Sequence, residues 1–115
     1  MVAGGARVVS VVAAGAVVRG VGFRSTRDEF AASGLEVDTA RVDVTDRDAM
    51  ARLADDVAAL HGRVDVLINN AGIGLTGPVS TATGADWDWL IDGNIRGVGN
   101  GILPFLPHIR SHGDG

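Results

Sequence analysis

Apolar positions along this chain follow two different periods, and their changeovers outline alternating strands and helices. Val17 to Phe23 is a short β-branched segment ending at Gly22, which reads as a strand. Ser25-Thr26-Arg27-Asp28-Glu29 then has the form of a capped helix start, with Asp28 and Glu29 each three residues after a hydroxyl residue, and Gly34 stops that helix. Leu35, Val37, Ala40, Val42 and Val44 alternate with other residues, predicting a strand over 35–44. From Thr45 the period changes. Met50, Leu53, Val57 and Leu60 recur at three- and four-residue steps, Thr45 is placed to cap with Asp48 three positions on, and Gly62 closes the helix. Val64 to Ile68 reads as a buried strand, Asn69-Asn70-Ala71-Gly72 as a sharp exit from it, and Gly77-Pro78 as a loop. A last helix is expected from about Asp86 to Leu103, disturbed at its end by Pro104 and Pro107.

Strand, helix, strand, helix, strand, helix is the order of a parallel sheet covered by helices. In such sheets ligands bind beyond the carboxyl ends of the strands. Those ends carry Phe23-Arg24-Ser25, Asp43-Val44 and Asn69-Asn70-Ala71-Gly72. A small-residue turn such as Ala71-Gly72 lets backbone approach a flat ligand, and the two asparagines can tie neighbouring strands together. For Asp43 a plain turn or helix-capping role is an equal reading.

Composition narrows the chemistry. The 115 residues suffice for one domain, taken here as 1–115. Ten basic side chains, all arginine, face 14 acidic ones, for a net charge of −4. The chain has no lysine, tyrosine or cysteine, which excludes a P-loop lysine, a Schiff base, a tyrosine acid/base, a cysteine nucleophile and thiolate metal sites within it. No metal site is expected. A mildly acidic chain without lysine clusters is poorly suited to nucleic acid or an anionic membrane. Val8 to Val18 is too short to span a bilayer, which needs about 20 residues, and it reads as a core segment of a cytoplasmic protein rather than a secretory signal. Glycine, at 17 residues, is about twice its usual share.

The strand-end residues resemble one family. Gly62-Arg-Val-Asp-Val-Leu-Ile-Asn-Asn-Ala-Gly-Ile73 is similar to the fourth-strand motif of the short-chain dehydrogenase/reductase family. Asp43-Val44, 26 residues ahead of Asn69, resembles its adenine-contacting pair, and Asp86-Trp-Asp-Trp89 leading to Asn94 and Gly97 resembles the helix bearing its catalytic asparagine. The resemblance implies a partial Rossmann-like α/β fold, doubly wound in three layers, with a mainly parallel sheet. It implies that Asp43 bonds the adenine amino group with Val44 beside the ring, and that Asn69, Ala71 and Gly72 line the adenosine ribose side. Asn94 would hold a water of the proton relay. On a helix Asn94 shares a face with Trp87, Ile91 and Val98, so it is expected to be a buried amide in need of partners; a satisfied asparagine bonding only backbone is the alternative.

Arg24 stands where an acidic residue would select NAD. A guanidinium suits a 2′-phosphate, so NADP is favoured over NAD. The implied function is hydride transfer between a nicotinamide cofactor and a small carbonyl or alcohol substrate, in a homo-oligomer or with a partner chain.

Two departures qualify this. The family's acid/base tyrosine, the lysine four residues after it and the serine of the preceding strand have no counterparts, so the chain is expected to be a fragment that is inactive by itself. A non-catalytic nucleotide-binding or interaction module is the alternative, and a receiver-like signalling domain fails for want of a lysine. At the front, too few residues precede Gly15 for the first strand, its glycine-rich turn and a long helix. Gly4-Gly5-Ala6-Arg7 is either a remnant of the pyrophosphate turn leading to a short helix at Arg7 to Ala14, or Arg7 to Ala13 is a strand that hairpins into the next. Loss of the central and later strands predicts exposed edges, bare apolar faces and marginal stability, or stabilisation by another chain.

Overall fold

The computed structural model describes residues 8–11, 32, 34, 38, 40–111 and 113. The apolar run near the amino end contributes strand β1 (Val8–Val11), and the fourth-strand motif contributes β2 (Val66–Asn69). They pair in parallel, Val8 opposite Val66 and Val11 opposite Asn69. Of the two readings for the first residues, the strand therefore holds at Val8–Val11, and a helix there does not. Its partner is β2; the expected hairpin partner, Val17 to Phe23, lies outside the described residues. β-Branched valines favour the pleated conformation over a helix. The pairing also corrects the expectation of a lost central strand, because β1 lies directly beside β2. Gly4 and Gly5, read as a remnant of the pyrophosphate turn, lie outside the described residues.

Of the helix expected after Ser25, Ala32 is described as helical, and Gly34, at φ +73°, has the left-handed backbone that ends helices. Ser25 and Arg24 lie outside the described residues. Over 40–44 the predicted strand is not realised, since no ladder bonds form there among the described residues. The two-residue period survives in burial. Val42 is half-buried, Val44 is buried at 4% exposure, and Arg41 and Asp43 point outward. A strand needs a neighbour as well as a pattern, and among the described residues no strand pairs with 40–44.

Helix α1 spans Arg47–His61. Its cap is Asp46, whose carboxylate accepts from the Ala49 N–H at 2.9 Å, and not Thr45 as the spacing suggested. The Thr45 hydroxyl is engaged elsewhere, donating to Asp43 Oδ1 at 2.8 Å. Gly62, at φ +75°, closes the helix as expected. Met50 and Ala54 are buried and Leu53 and Val57 pack beside them, whereas Leu60 is 66% exposed.

β2 begins two residues later than predicted and is not buried on both faces. Leu67 and Asn69 are half-covered, while Val66 and Ile68 are exposed. After a short 3-10 turn (Val79–Thr81), helix α2 (Gly84–Ile91), a π turn (Asp92–Arg96) and helix α3 (Gly97–Arg110) run on without a break. The start lies two residues earlier than predicted because Thr83 and Asp86 form a reciprocal capping box. The end lies seven residues later, since Pro104 and Pro107 both fall inside α3. Each proline removes one backbone donor. The turns containing them are held from outside the ladder, by fully buried Phe105 and by Ile109 packed on the core.

α3 packs on β2 and on α1. Val44, Met50, Ala54, Val64 and Phe105 form the core between them, and burying each of its larger side chains contributes about 1.5–3 kcal/mol. At its edge His108 of α3 pairs with Asp55 of α1 at 3.3 Å. Among the described residues no helix is long and apolar enough to cross a membrane, and no group of three His, Asp or Glu is placed to hold a metal ion.

Candidate functional site

The carboxyl end of β2 turns out through Asn69-Asn70-Ala71-Gly72-Ile73, and the segment before α1 ends in the Asp43–Asp46 turn. Both lie on one face of the π turn and α3, a face made of glycines four residues apart. A Cβ on Gly93 would meet Ile73 Cδ1 at 2.6 Å, and one on Gly97 would meet Val44 Cγ2 at 2.8 Å. A Cβ on Gly101 would overlap the Asn69 side-chain amide. Successive glycines on this face are separated by about 6 Å along the axis. The Val44 contact is therefore flanked by those of Ile73 and Asn69, each about one helical turn away. The structure brings Asp43, Val44, Asn69, Ala71, Gly72 and Asn94 into one neighbourhood. Arg24 lies outside the described residues.

Asp43 sits in a tight turn of its own. Oδ1 accepts from the Thr45 N–H and hydroxyl, both at 2.8 Å, and its carbonyl accepts from the Asp46 N–H at 3.0 Å. This is the turn-forming role weighed against a binding role, but it does not exhaust the carboxylate. Oδ2 has no hydrogen bond among the described residues, the side chain is exposed, and a carboxylate oxygen accepts more than one donor. Val44 beside it is buried against Gly97, so the residue that would flank a flat ring is fixed in place.

Ala71 packs at the core edge, and Gly72 places its backbone within reach of Asn94, whose Oδ1 would stand 3.4 Å from a Cβ there. Asn94 itself is in the π turn. Its Oδ1 accepts from the Ile73 N–H and its Nδ2 donates to the Ile73 carbonyl, both at 2.9 Å. That reciprocal pair clamps the end of the bend to the helix. The expectation of a buried Asn94 is corrected. The residue is exposed, as are Trp87 (55%) and Ile91 (37%) on the same face, and its partners are backbone. One Oδ1 lone pair and one Nδ2 hydrogen remain for a further partner.

Two features escaped the sequence reading. One is the glycine face, legible as Gly93, Gly97 and Gly101 at four-residue spacing. The other is Asn100, a single asparagine in an apolar helix and 5% exposed. Its Nδ2 donates to the carbonyls of Val44 at 2.9 Å and Thr45 at 3.3 Å, and its Oδ1 accepts from Arg47 Nε at 3.4 Å. An isolated buried amide in an apolar stripe was the available signal.

Comparison with known proteins places the chain in a family. The family model described as short chain dehydrogenase matches residues 3–115. The C alpha-dehydrogenase of Sphingobium sp. SYK-6 is 37% identical over 112 residues, covering 96% of this chain and 35% of that protein. The crystal structure of LigO in its apo form, from the same strain, is similar at 38% identity with a TM-score of 0.68, covering 73% of this chain and 31% of that one. A metagenomic short-chain oxidoreductase crystallised in complex with NADP is similar at 39% identity and a TM-score of 0.66, covering 75% of this chain and 39% of that one. The chain thus spans about a third of the length of these relatives, and its fold is part of their Rossmann-like α/β arrangement. With the Asn-Asn-Ala-Gly bend, the Asp43–Val44 turn and the asparagine-bearing helix in one place, the chain is a member of the short-chain dehydrogenase/reductase family.

Proposed function

We propose that this chain carries the adenosine-binding part of an NAD(P)-dependent short-chain oxidoreductase, and that residues 1–115 form one incomplete dinucleotide-binding unit. A single observation carries the reading: the Asp43–Val44 turn and the Asn69–Ile73 bend are seated side by side on the glycine face of the π turn and α3. In this reading the free Oδ2 of Asp43 accepts from the adenine amino group and Val44 supports the ring. Asn69, Ala71 and Gly72 line the ribose side, with Gly72 leaving room for close approach. Asn94 uses its remaining donor and acceptor on a water of the proton relay while holding Ile73. NADP is preferred over NAD, on the strength of Arg24 in the sequence and of the NADP-bound relative. When bound, the nicotinamide supplies the hydride for a small carbonyl or alcohol substrate. The setting is cytoplasmic, with a second copy or partner chain beside it.

A second reading has an observation of its own. The chain contains neither tyrosine nor lysine, so it cannot itself supply the family's proton donor or the residue that tunes it. Within its own residues it binds nucleotide without turning over substrate.

Equilibrium dialysis with NADPH tests both. Micromolar binding, weakened about tenfold by Asp43→Ala as expected for one lost hydrogen bond to a polar ligand, supports the site. Binding that ignores Asp43→Ala removes it. NADPH oxidation across a panel of carbonyl compounds by the isolated chain would overturn the second reading.

A further inference from the structure

We propose that Asn100 is a positioning residue for the candidate adenine-binding turn, acting on Asp43 through the backbone between them. The inference rests on the nucleotide-binding reading of Asp43 and goes beyond it in assigning the control of that turn to a side chain on α3.

Three observations support it. Asn100 is 5% exposed and is the buried polar residue among those described, yet its side-chain hydrogen bonds all go outside its own helix. It reaches across to the chain segment before α1. Its Nδ2 donates to the Val44 carbonyl at 2.9 Å and to the Thr45 carbonyl at 3.3 Å, so two successive peptide groups are held by one amide. Those peptide groups immediately follow Asp43, and the Thr45 N–H and hydroxyl are the groups that hold Asp43 Oδ1 at 2.8 Å. Fixing the Val44 and Thr45 peptides therefore fixes the donors that orient the carboxylate. The acceptor side of Asn100 is also engaged, by Arg47 Nε at 3.4 Å, which settles which way the amide faces. Arg47 is the first residue of α1, so the same side chain joins the start of α1 to α3 across the turn.

The contact differs in kind from the neighbouring packing. Gly97 receives Val44 by shape alone, through a close approach that leaves no room for a Cβ. A carbonyl at a buried turn demands a donor, because leaving it without one costs free energy. Asn100 supplies two N–H groups from one planar unit. An apolar residue of equal size would fill the space and leave both carbonyls without that donor.

The test compares Asn100→Asp, which keeps the shape but removes the donors, with Asn100→Ala, in the full chain. Backbone hydrogen exchange is followed at Thr45 and Asp46, with Leu67 in β2 as the reference for general loosening, and NADPH binding is measured in the same variants and in Asp43→Ala. The expected result is exchange at Thr45 and Asp46 faster by about tenfold, as for one lost hydrogen bond, with Leu67 little changed. NADPH binding should weaken by a similar factor, and adding Asp43→Ala to Asn100→Asp should weaken it little further, because both changes act through one carboxylate. If Thr45 and Asp46 exchange as in the wild type, or if Leu67 loosens equally, Asn100 has no positioning role, whatever NADPH does. If the two amides loosen selectively while NADPH binding by the wild type ignores Asp43→Ala, the nucleotide-binding reading fails and the assignment of Asn100 to it falls too.

Discussion

Gly101 and Asn69 fit together with no space for a side chain between them: a methyl group on the glycine would overlap the asparagine's amide. The close approach places the carboxyl end of β2 directly against α3, and with it the bend that begins the candidate site. Glycine inside a helix is a poor choice for the helix itself, costing about 1 kcal/mol relative to alanine. Its presence at Gly93, Gly97 and Gly101 reflects what lies across from it.

The helix should therefore respond oppositely to one substitution made at two positions. Gly101→Ala is expected to destabilise the chain by about 1–3 kcal/mol, because Asn69 must shift or the helix must lift. Gly99→Ala, where no other described residue lies within 4 Å of the new Cβ, should stabilise by up to about 1 kcal/mol through helix propensity. Urea denaturation followed by circular dichroism reads both, and equal effects at the two sites would disprove the packing argument.

Asn94 offers a second check. Asn94→Ala removes both bonds to the Ile73 peptide at an exposed site, so a loss of about 1 kcal/mol is expected rather than a collapse. Hydrogen exchange at the Ile73 amide should quicken, while the Thr45 amide, held by Asp43, should not change. Concerted loosening of both amides would show that the clamp is not local.

The start of α2 carries a pH dependence of its own. The Thr83 backbone N–H and hydroxyl, both donating to the Asp86 carboxylate at 2.8 Å, hold its pKa below the usual 3.8. A carboxylate with a lowered folded-state pKa binds protons more readily in the unfolded chain. Its contribution is thus present in full above the ordinary carboxylate value and is lost as the pH falls through the lower, folded-state value. Acid titration of helix content should show that loss in the wild type, and Asp86→Asn should flatten it. An unchanged acid profile in Asp86→Asn would mean that other carboxylates govern the transition.

Phe105 closes the core at zero exposure, with Met50, Ala54, Val44 and Val64 as its buried company. Phe105→Ala is expected to cost about 3–5 kcal/mol, the range for removing a buried aromatic ring. For so small a core that is a large share of the stability of an ordinary domain. The observable is loss of a cooperative denaturation transition, and a steep transition with an unshifted midpoint would contradict the assignment of the core.

What the sequence made legible was whatever a local signal determines. Alternation at Val42 and Val44, the three- and four-residue steps through Met50, Leu53 and Val57, and the φ-dependent stop at Gly62 each depend on neighbours in the chain, and each appears in the structure. The misread points depend on competition or on distant partners. Thr45 lost the cap to Asp46 because Asp43 had already engaged its hydroxyl. Helix α3 ran through Pro104 and Pro107 because Phe105 and Ile109 are held by tertiary packing, which a proline rule does not include. The candidate site divides along the same line. Asp43, Asn69 and Gly72 announced themselves through a motif, whereas Asn100 became visible only once Val44 and Thr45 were found across from it.

The parallel register of Val8–Val11 with Val66–Asn69 also has a consequence for biogenesis. On a ribosome Val8–Val11 emerges long before its ladder partner has been translated, and the ladder bonds form only once both are present. Contacts so far apart along the polypeptide slow folding, and a nascent β-branched segment left waiting invites self-association. Production of this chain should accordingly benefit from a holding chaperone during synthesis.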